Sequence, residues 1–222
     1  MTQISAPAGD VFIVDDDPAV REVLSLLFSQ AGFRATCFAD GTALLASARL
    51  TVPACIILDV NIPGRSGLDI LKQLNAEDYP APIFVISGEG DIPMAVNAIR
   101  NGALDFIEKP FRGAEVVSRV KESIAAWAQR QQESPPTPAT AFAIPGREPF
   151  TRRERDVLNL ILAGASSKEA GRTMGISPRT VEFHRARIME KVDAKNTADL
   201  IRIVMSRHAP NGSHNHDAEP SI

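Results

Sequence analysis

Residues suited to phosphoryl chemistry follow four short apolar runs of the sequence. Asp15 and Asp16 follow VFIV, Asp59 closes CIILD, Ser87 closes PIFVIS, and Lys109 follows DFIE. Three carboxylates brought together repel one another and need a cation, and oxygen ligands suit a hard divalent ion such as Mg²⁺. The Lys109 ammonium and the Ser87 hydroxyl would then bind the oxygens of a phosphoryl group. Asp59 is the carboxylate best placed to accept that group as an aspartyl phosphate.

Each of these residues also has an ordinary interpretation when it is taken alone. An aspartate after a strand is most often a turn former or a helix N-cap, and Asp17, which precedes Pro18, is interpreted as such a cap. Ser87 alone would be a loop hydroxyl, and Lys109 alone would be a solvated charge. Because four separate runs each end in a residue type that one reaction requires, the functional interpretation is favoured.

A site of this kind needs a scaffold that brings the ends of several strands together. Five apolar runs alternate with segments of helical periodicity. The runs cover residues 11–14, 33–38, 54–60, 82–87 and 103–107, and helices follow near 18–31, 40–50, 67–76, 91–101 and 113–130. The alternation predicts an α/β fold with a five-stranded, parallel, doubly wound sheet of the flavodoxin-like type. Binding sites in such folds lie at the carboxyl ends of the strands.

The charge of the chain is unevenly divided. The 222 residues carry a net charge of −3, whereas residues 1–127 carry −6 and residues 150–208 carry +5. An acidic part joined to a basic part predicts two functions, with nucleic acid as the partner of the basic part. No stretch is apolar enough for a membrane helix, and residues 1–10 lack a signal-peptide pattern. Cys37 and Cys55 lack metal-binding spacing and are predicted to be buried.

The change of charge coincides with a proline-rich segment. Residues 131–149 contain five of the sixteen prolines, and proline lacks the N–H that helices and central strands require. A linker is favoured over a loop inside one domain, because structureless loops of this length are uncommon in compact domains. The predicted organisation is a disordered N-terminus at 1–9, a first domain at 10–130, the linker at 131–149, a small all-α domain at 150–208 and a disordered tail at 209–222.

The basic domain shows helical patterns arranged as a helix-turn-helix. Thr151 and Glu154 form a predicted capping box, and a short second helix with Ser167 as its cap precedes the turn 175–177 and a third helix from Pro178. The apolar face of that third helix consists of Val181, Ile188 and Val192. Its opposite face and N-terminal end supply the candidate DNA contacts Arg179, Thr180, Glu182, Phe183, Arg185, Ala186 and Arg187.

These candidate contacts suit the major groove of duplex DNA. Arginines would meet guanine or phosphate, Glu182 would accept from a cytosine amino group, and Phe183 would touch a thymine methyl group. The alternative is an ordinary charged helix with one exposed aromatic residue. The preceding turn and the linker favour the DNA-binding interpretation.

Four motifs of the first domain resemble the receiver domain of two-component response regulators: VDDDP (14–18), LDVNIPGRSG (58–67), ISGEGD (86–91) and DFIEKPF (105–111). The resemblance implies that Mg²⁺ is held by Asp15, Asp16, Asp59 and the carbonyl of Asn61. It further implies that Asp59 is the phosphoacceptor, Ser87 the switch hydroxyl, Lys109 the phosphate partner and Phe106 the rotating aromatic residue. In relatives the peptide bond that corresponds to Lys109–Pro110 is typically cis.

The basic domain resembles the LuxR-type helix-turn-helix in FTRRERDVL (150–158) and SSKEAGRTMGISPRTVEFHRARIMEKV (166–192). The two domains together resemble the FixJ-class response regulators, and GEGDIPMAVNAIRNGALDFIEKPF (88–111) is especially similar to that class. Two positions depart from the pattern. Ala170-Gly171 stands where relatives usually have Ile-Ala, and Asp193 stands where they often have Gly.

The resemblance implies a cytoplasmic regulator of transcription rather than an enzyme. A sensor histidine kinase would donate the phosphoryl group to Asp59, and slow autodephosphorylation would remove it. Ser87 and Phe106 would move inward, and phosphorylated chains would pair as homodimers on double-stranded DNA. RNA polymerase is a further candidate partner, and no membrane partner is expected.

Two other classes of protein fit parts of the sequence. A Mg²⁺-dependent phosphatase could use an aspartyl nucleophile on a similar sheet, but residues 15–19, DDDPA, lack the Thr or Val that ends the common haloacid dehalogenase pattern. A constitutive DNA-binding or sigma-like factor would carry a degenerate receiver domain. The complete set of acidic residues argues against that class.

Overall fold

The computed structural model describes residues 9–88, 92–133 and 148–208. Residues 1–8, most of the predicted linker and the predicted tail lie outside the described residues, as do residues 89–91 of the ISGEGD motif. Contacts divide the chain into two compact units. The first is Met1–Pro135 together with Gly164–Phe183, and the second is Pro136–Ala163 together with His184–Ile222.

The first unit contains a five-stranded parallel sheet, as the alternating pattern predicts. The strands are β1 (Asp10–Val14), β2 (Arg34–Phe38), β3 (Cys55–Asp59), β4 (Ile83–Ser87) and β5 (Asp105–Glu108). Their order in the sheet is β2-β1-β3-β4-β5, with every pair parallel. The helices α1 (Pro18–Gln30), α2 (Gly41–Leu50), α3 (Gly67–Leu74), α4 (Ile92–Arg100) and α5 (Gly113–Glu133) connect or follow these strands. This is the doubly wound order of the flavodoxin-like type.

Burial across the sheet follows the position of each strand. All five residues of β3 and of β4 are buried, because helices cover both faces of the central strands. Strand β2 lies at an edge and buries only Phe38 fully. The prediction that both cysteines are buried is therefore wrong for one of them: Cys55 in β3 is buried, whereas Cys37 in β2 is exposed.

Two local features hold helices close to the strand ends. Asp17 caps α1 by accepting from the Ala19 N–H at 2.8 Å, and Pro18 takes the first helical position, as predicted. Gly67 begins α3, and its N–H donates to the Val60 carbonyl at 2.8 Å. A Cβ at Gly67 would lie 2.6 Å from the Asp59 carbonyl oxygen. A glycine here therefore lets α3 begin directly behind the end of β3.

Four further helices follow: α6 (Arg152–Leu162), α7 (Ser167–Met174), α8 (Pro178–Val192) and α9 (Thr197–His208). The capping box of Thr151 and Glu154 is confirmed. The N-cap of α7 is Ser166 rather than Ser167, because Ser166 forms a capping box with Glu169. None of the helices in the described part of the chain combines the length and apolar character of a membrane span.

Helix α5 extends into the segment predicted as linker. It ends at Glu133 and so includes residues 131–133, the first three of the predicted linker. Residues 131–133 are Gln-Gln-Glu, which favour helices, and the first proline of the segment is Pro135. The start of the linker, which was predicted from the prolines alone, is therefore too early in the sequence.

Close packing explains why a glycine stands at position 171 in α7, where relatives usually have Ala. A Cβ at this position would lie 2.8 Å from the Ile176 carbonyl oxygen, and the Ile176 N–H donates to the Gly171 carbonyl at 2.9 Å. The turn after α7 thus folds back against Gly171 more closely than a side chain would allow. Asp193, the other departure, adopts a φ of 59°, a left-handed conformation that aspartate tolerates better than most residues.

The second unit contains a buried ion pair. Lys191 of α8 donates to Glu154 Oε2 at 2.7 Å, and each side chain is 4% exposed. The same glutamate oxygen accepts from the Thr151 N–H at 2.8 Å, and Lys191 also donates to the Pro149 carbonyl at 3.0 Å. The pair joins the start of α6 to the end of α8 with its charges balanced.

Candidate functional site

The carboxyl ends of the central strands bring three predicted metal ligands together. Oxygen atoms of Asp15, Asp16 and Asp59 all lie within 4.8 Å of one another. Asp15 follows β1 and Asp59 ends the adjacent β3, so the parallel register places both at the same edge of the sheet. Asp15 and Asp59 are buried, whereas Asp16 is exposed. We call these three residues the acidic pocket.

Lys109 lies directly against the acidic pocket. Its Nζ is 2.8 Å from Asp15 Oδ2 and 2.8 Å from Asp59 Oδ1. The second oxygen of each buried carboxylate accepts a backbone N–H, from Asp17 at 2.9 Å and from Asn61 at 2.8 Å. The predicted convergence of Asp15, Asp59 and Lys109 is therefore confirmed by direct contacts.

Arg21 of α1 holds the loop that carries the first two aspartates. Its guanidinium donates to the backbone carbonyls of Asp15 at 2.6 Å and of Asp16 at 2.9 Å. Arg21 was not among the site residues predicted from the sequence. Its spacing of five and six residues from the two aspartates, on the first turns of the following helix, is the signal that could have indicated this contact.

The electrostatics of the acidic pocket favour a bound cation. Burial raises the pKa of the Asp59 carboxyl, and the hydrogen bond and charge of Lys109 offset this only in part, while the charge of Asp15 raises the pKa further. Burial opposes the charge of Lys109, but its hydrogen bonds to Asp15 and Asp59 and their negative charges outweigh this effect and raise the pKa of the ammonium. One ammonium does not balance three carboxylates.

The donor set of the acidic pocket fits a hard divalent cation. All three side chains offer carboxylate oxygens, the ligand type that Mg²⁺ prefers. Asn61 contributes its N–H to Asp59, and the role of its carbonyl as a ligand stays a prediction. The residues present are therefore compatible with Mg²⁺.

The two predicted switch residues lie on neighbouring strands. Ser87 ends β4 and is 2% exposed, one position after Ile86, which pairs with Asp59. Phe106 lies in β5 and is 6% exposed. The Lys109–Pro110 peptide bond is cis, as the resemblance led us to expect. Their roles as switch hydroxyl and rotating aromatic residue stay predictions.

The predicted DNA contacts in the first turns of α8 lie against β5. Thr180 is completely buried. The guanidinium of Arg179 lies 5.2 Å from the centre of the Phe106 ring and 3.6 Å from Glu108 Oε2. The ring of Phe183 lies 6.1 Å from that of Phe106, which shows that this aromatic residue has a packing partner.

The other predicted contacts bond to neighbouring helices or remain on the surface. Glu182 bonds with the Ser167 hydroxyl, and Arg185 donates to Thr197 Oγ1 at 2.9 Å. Arg187 donates to Glu190 Oε2 at 3.0 Å, and Ala186 is exposed. These residues are spread along α8, and their contacts with DNA stay predictions.

Asp105 is a buried polar residue that was not predicted from the sequence as part of a site. It begins β5, is completely buried, and accepts hydrogen bonds from Ser177, Thr180 and Arg119. An aspartate inside the apolar run ALDFI was the available signal, because a buried carboxylate requires partners. The partners themselves stand far away in the sequence.

Both parts of the chain match families of known proteins. Residues 11–121 match the family described as response regulator receiver domain, and residues 148–204 match the bacterial regulatory proteins of the luxR family. The chain is 36% identical over 198 residues to the transcriptional regulatory protein FixJ of Bradyrhizobium diazoefficiens, covering 89% of this chain and 95% of that protein.

Two further relatives extend this similarity. The response regulator protein TodT of Pseudomonas putida (strain F1) is 36% identical over 203 residues, which cover 91% of this chain and 88% of that protein. The solved structure of the response regulator StyR is 34% identical with a TM-score of 0.51, covering 91% of this chain and 100% of that one. Each match spans both the sheet and the C-terminal helices.

Proposed function

The chain belongs to the response regulators that join a receiver domain to a LuxR-type DNA-binding domain, and we propose that Asp59 is its site of phosphorylation in a Mg²⁺-dependent reaction. A sensor histidine kinase is the partner of such a receiver domain, and DNA is the partner of the C-terminal domain. The observation that carries the proposal is the contact of Lys109 with both buried carboxylates beside the exposed Asp16.

The proposed transfer forms one bond and breaks one. An oxygen of the Asp59 carboxylate attacks the phosphorus atom, and the bond from phosphorus to the donor nitrogen of the kinase histidine breaks. The electron pair of that bond stays with the histidine, which takes up a proton. The Lys109 ammonium, already 2.8 Å from Asp59, lies within reach of the phosphoryl oxygens. Mg²⁺ held by Asp15, Asp16 and Asp59 would neutralise further charge on these oxygens.

Acetyl phosphate tests this proposal without the kinase. Wild-type protein should gain one phosphoryl group in the presence of Mg²⁺ and none in EDTA, as measured by intact-protein mass spectrometry. Asp59→Asn should remain unlabelled, whereas Asp69→Asn, an exposed aspartate that bonds with Ser66, should be labelled like the wild type. Equal labelling of wild type and Asp59→Asn would contradict the assignment of Asp59 as the site of phosphorylation.

We further propose that the chain does not turn over phosphate esters. The acyl phosphate on Asp59 would be lost only by slow hydrolysis, consistent with a regulator rather than a phosphatase. Incubation with p-nitrophenyl phosphate and Mg²⁺ should release no more nitrophenol than Asp59→Asn does. Multiple turnovers that depend on Asp59 would instead support a phosphatase.

Helix α8 is proposed to carry the DNA contacts, in a homodimer formed after phosphorylation. Its N-terminal residues and its arginines have the chemistry of groove and phosphate contacts. Arg179→Ala and Arg187→Ala should each weaken binding of duplex DNA, more at low salt than at high salt. Arg49→Ala, on the exposed side of α2, is the matched control. If neither α8 variant changes the affinity, the assignment of α8 fails. RNA polymerase is proposed as a partner of the DNA-bound dimer.

A further inference from the structure

Arg21 reaches back from α1 to the two peptide groups that flank the Cα atom of Asp16. Its Nη1 atom donates to the Asp15 carbonyl at 2.6 Å and to the Asp16 carbonyl at 2.9 Å. Arg21 stands four residues after the N-cap Asp17, and helical side chains lean toward the N-terminus of their helix, so this direction is an ordinary one. Because a peptide group is planar, a bond to each carbonyl restricts the orientation of both planes around Asp16.

Asp16 is the member of the acidic pocket that depends most on its backbone. The carboxylates of Asp15 and Asp59 are buried, and each accepts from Lys109 and from a backbone N–H. The Asp16 side chain is exposed, and no group among the described residues donates to its carboxylate. The backbone on either side of Asp16 therefore determines where this carboxylate can lie, and Arg21 holds that backbone.

Other groups hold the N–H side of the same loop. The Asp15 N–H donates to the Phe38 carbonyl at 3.4 Å, and the Asp17 N–H donates to Asp15 Oδ1 at 2.9 Å. Arg21 supplies the donor for the two carbonyls between them. A guanidinium is charged, so its hydrogen bonds are stronger than those between neutral groups. The loss of Arg21 would thus free the carbonyl side of the loop while its N–H side stays bound.

We propose that Arg21 is a positioning residue for the cation site: it keeps Asp16 turned toward Asp15 and Asp59 and thereby sets the affinity of the acidic pocket for Mg²⁺. The inference rests on the proposed Mg²⁺-dependent phosphorylation of Asp59. Groups that orient metal ligands typically contribute about 10- to 100-fold to the affinity of a metal site. The guanidinium bonds to carbonyls and not to carboxylates, so it leaves the ligand oxygens available to the cation.

The positive charge of Arg21 acts in the opposite direction. A guanidinium near the acidic pocket repels a cation, so its removal would tighten cation binding if charge alone mattered. Arg21 is half-buried beside the exposed Asp16, where water and salt screen this repulsion. The two carbonyl bonds are direct contacts, and we expect the loss of orientation to outweigh the gain from charge. The sign of the change in affinity therefore distinguishes the two effects.

Titration of the full-length, unphosphorylated protein with Mn²⁺ tests the proposal without any phosphoryl donor. Mn²⁺ takes the same oxygen ligands as Mg²⁺, and electron paramagnetic resonance measures the free ion. Competition with Mg²⁺ then gives the dissociation constant of Mg²⁺. Arg21→Met should weaken binding of both ions about tenfold, because Asp16 is no longer held in place. An unchanged or tighter dissociation constant in Arg21→Met would overturn the proposal.

Two further variants accompany this measurement. In Arg21→Lys one ammonium nitrogen can donate to both carbonyls, as Nη1 does, so the loss should not exceed about threefold. Arg49→Met removes the same charge from an exposed position in the last turn of α2, at the end of that helix away from the acidic pocket. Its dissociation constant should stay within about twofold of wild type.

The dependence of labelling on Mg²⁺ separates positioning from a general defect of the fold. The initial rate of labelling by acetyl phosphate is measured over a range of Mg²⁺ concentrations. In Arg21→Met the half-saturating concentration should rise about tenfold, while the rate at saturation should stay within about twofold of wild type. A lower rate at saturation with an unchanged half-saturating concentration would overturn the proposal, because it would reflect lost folded protein instead of a weaker cation site.

The proposed function and this inference fail separately. If wild type binds Mn²⁺ but Asp59 is not labelled, the proposed function fails, and the dissociation constants still decide the role of Arg21. If wild type is labelled and Arg21→Met binds Mn²⁺ as wild type does, only the inference about Arg21 fails.

Discussion

Among the described residues, Lys109 and Lys191 each contact buried carboxylates, and the charges that surround these two lysines differ. Lys191 pairs with Glu154, and both side chains are 4% exposed. Lys109 lies between Asp15 and Asp59 and is 30% exposed, and an oxygen of a third carboxylate, that of Asp16, lies within 4.8 Å of oxygens of both aspartates. The buried Lys191–Glu154 pair joins two helices, and the second carboxylate near Lys191, that of Glu148 at 3.6 Å, is exposed to water and also lies near Arg187. The Lys109 site carries excess negative charge, and it is there that we propose an external cation and a phosphoryl group to bind.

The largest effect is expected at the balanced pair. Lys191→Met should lower the free energy of unfolding by about 3–5 kcal/mol, because it leaves the buried Glu154 charge without its ammonium partner. Thermal unfolding followed by circular dichroism measures the loss. Lys195→Met, at an exposed position, is the matched control and should change stability little. A small loss of stability in Lys191→Met would mean that water or another cation compensates the Glu154 carboxylate. The contrast between Lys191 and Lys109 would then not hold.

A smaller loss is expected at the open site. Lys109→Met should lower stability in EDTA by about 2 kcal/mol, less than at Lys191, because the ammonium is partly exposed to water. Addition of Mg²⁺ should restore much of the loss, since the cation compensates the same carboxylates. Lys72→Met, on the exposed side of α3, serves as the control. If Mg²⁺ has no effect on Lys109→Met, the acidic pocket is not the cation site.

The sequence was sufficient to predict the acidic pocket but not the contact at Asp105. Apolar runs identify strands, and parallel strands place their carboxyl ends at one edge, so Asp15, Asp59 and Lys109 could be grouped without coordinates. Asp105 binds Ser177, 72 residues away, and no local periodicity relates two such positions. The Lys191–Glu154 pair, separated by 37 residues, was missed for the same reason.

Edges and ends of elements were predicted less well than their cores. Cys37 was expected to be buried because a free cysteine without metal-binding spacing usually is. The strand order, which composition does not reveal, places β2 at the edge of the sheet and leaves Cys37 exposed. The end of α5 was misplaced because linker character was assigned from prolines, while the Gln-Gln-Glu before them is compatible with a helix. The reason for the departure at Gly171, the close approach of the turn that follows α7, also depends on tertiary structure that the sequence does not show.

Mg²⁺ should stabilise the wild type selectively. At a hundredfold excess over its dissociation constant, the cation should add about 2.7 kcal/mol to the free energy of unfolding if it binds only the folded chain. Asp59→Asn should gain much less, because the pocket loses one of its three carboxylates. Thermal unfolding with Mg²⁺ and with EDTA gives both values. Equal gains for the two proteins would show that the cation binds elsewhere.

The smallest effect is the pH dependence of stability at Asp59 in the absence of divalent cations. Burial holds the pKa of this carboxyl above its value in the unfolded chain, so the folded chain binds the proton more tightly. Its contribution to stability is therefore present at acid pH and is lost as the pH rises through the folded pKa. In EDTA, the free energy of unfolding of Asp59→Asn should rise relative to that of wild type as the pH increases from the unfolded to the folded pKa of Asp59. Above the folded pKa the difference between the two proteins should stay constant. Because the difference between the two proteins isolates this one carboxyl, a difference independent of pH would show that Lys109 fully balances Asp59. The open site would then resemble the balanced pair of Lys191 and Glu154.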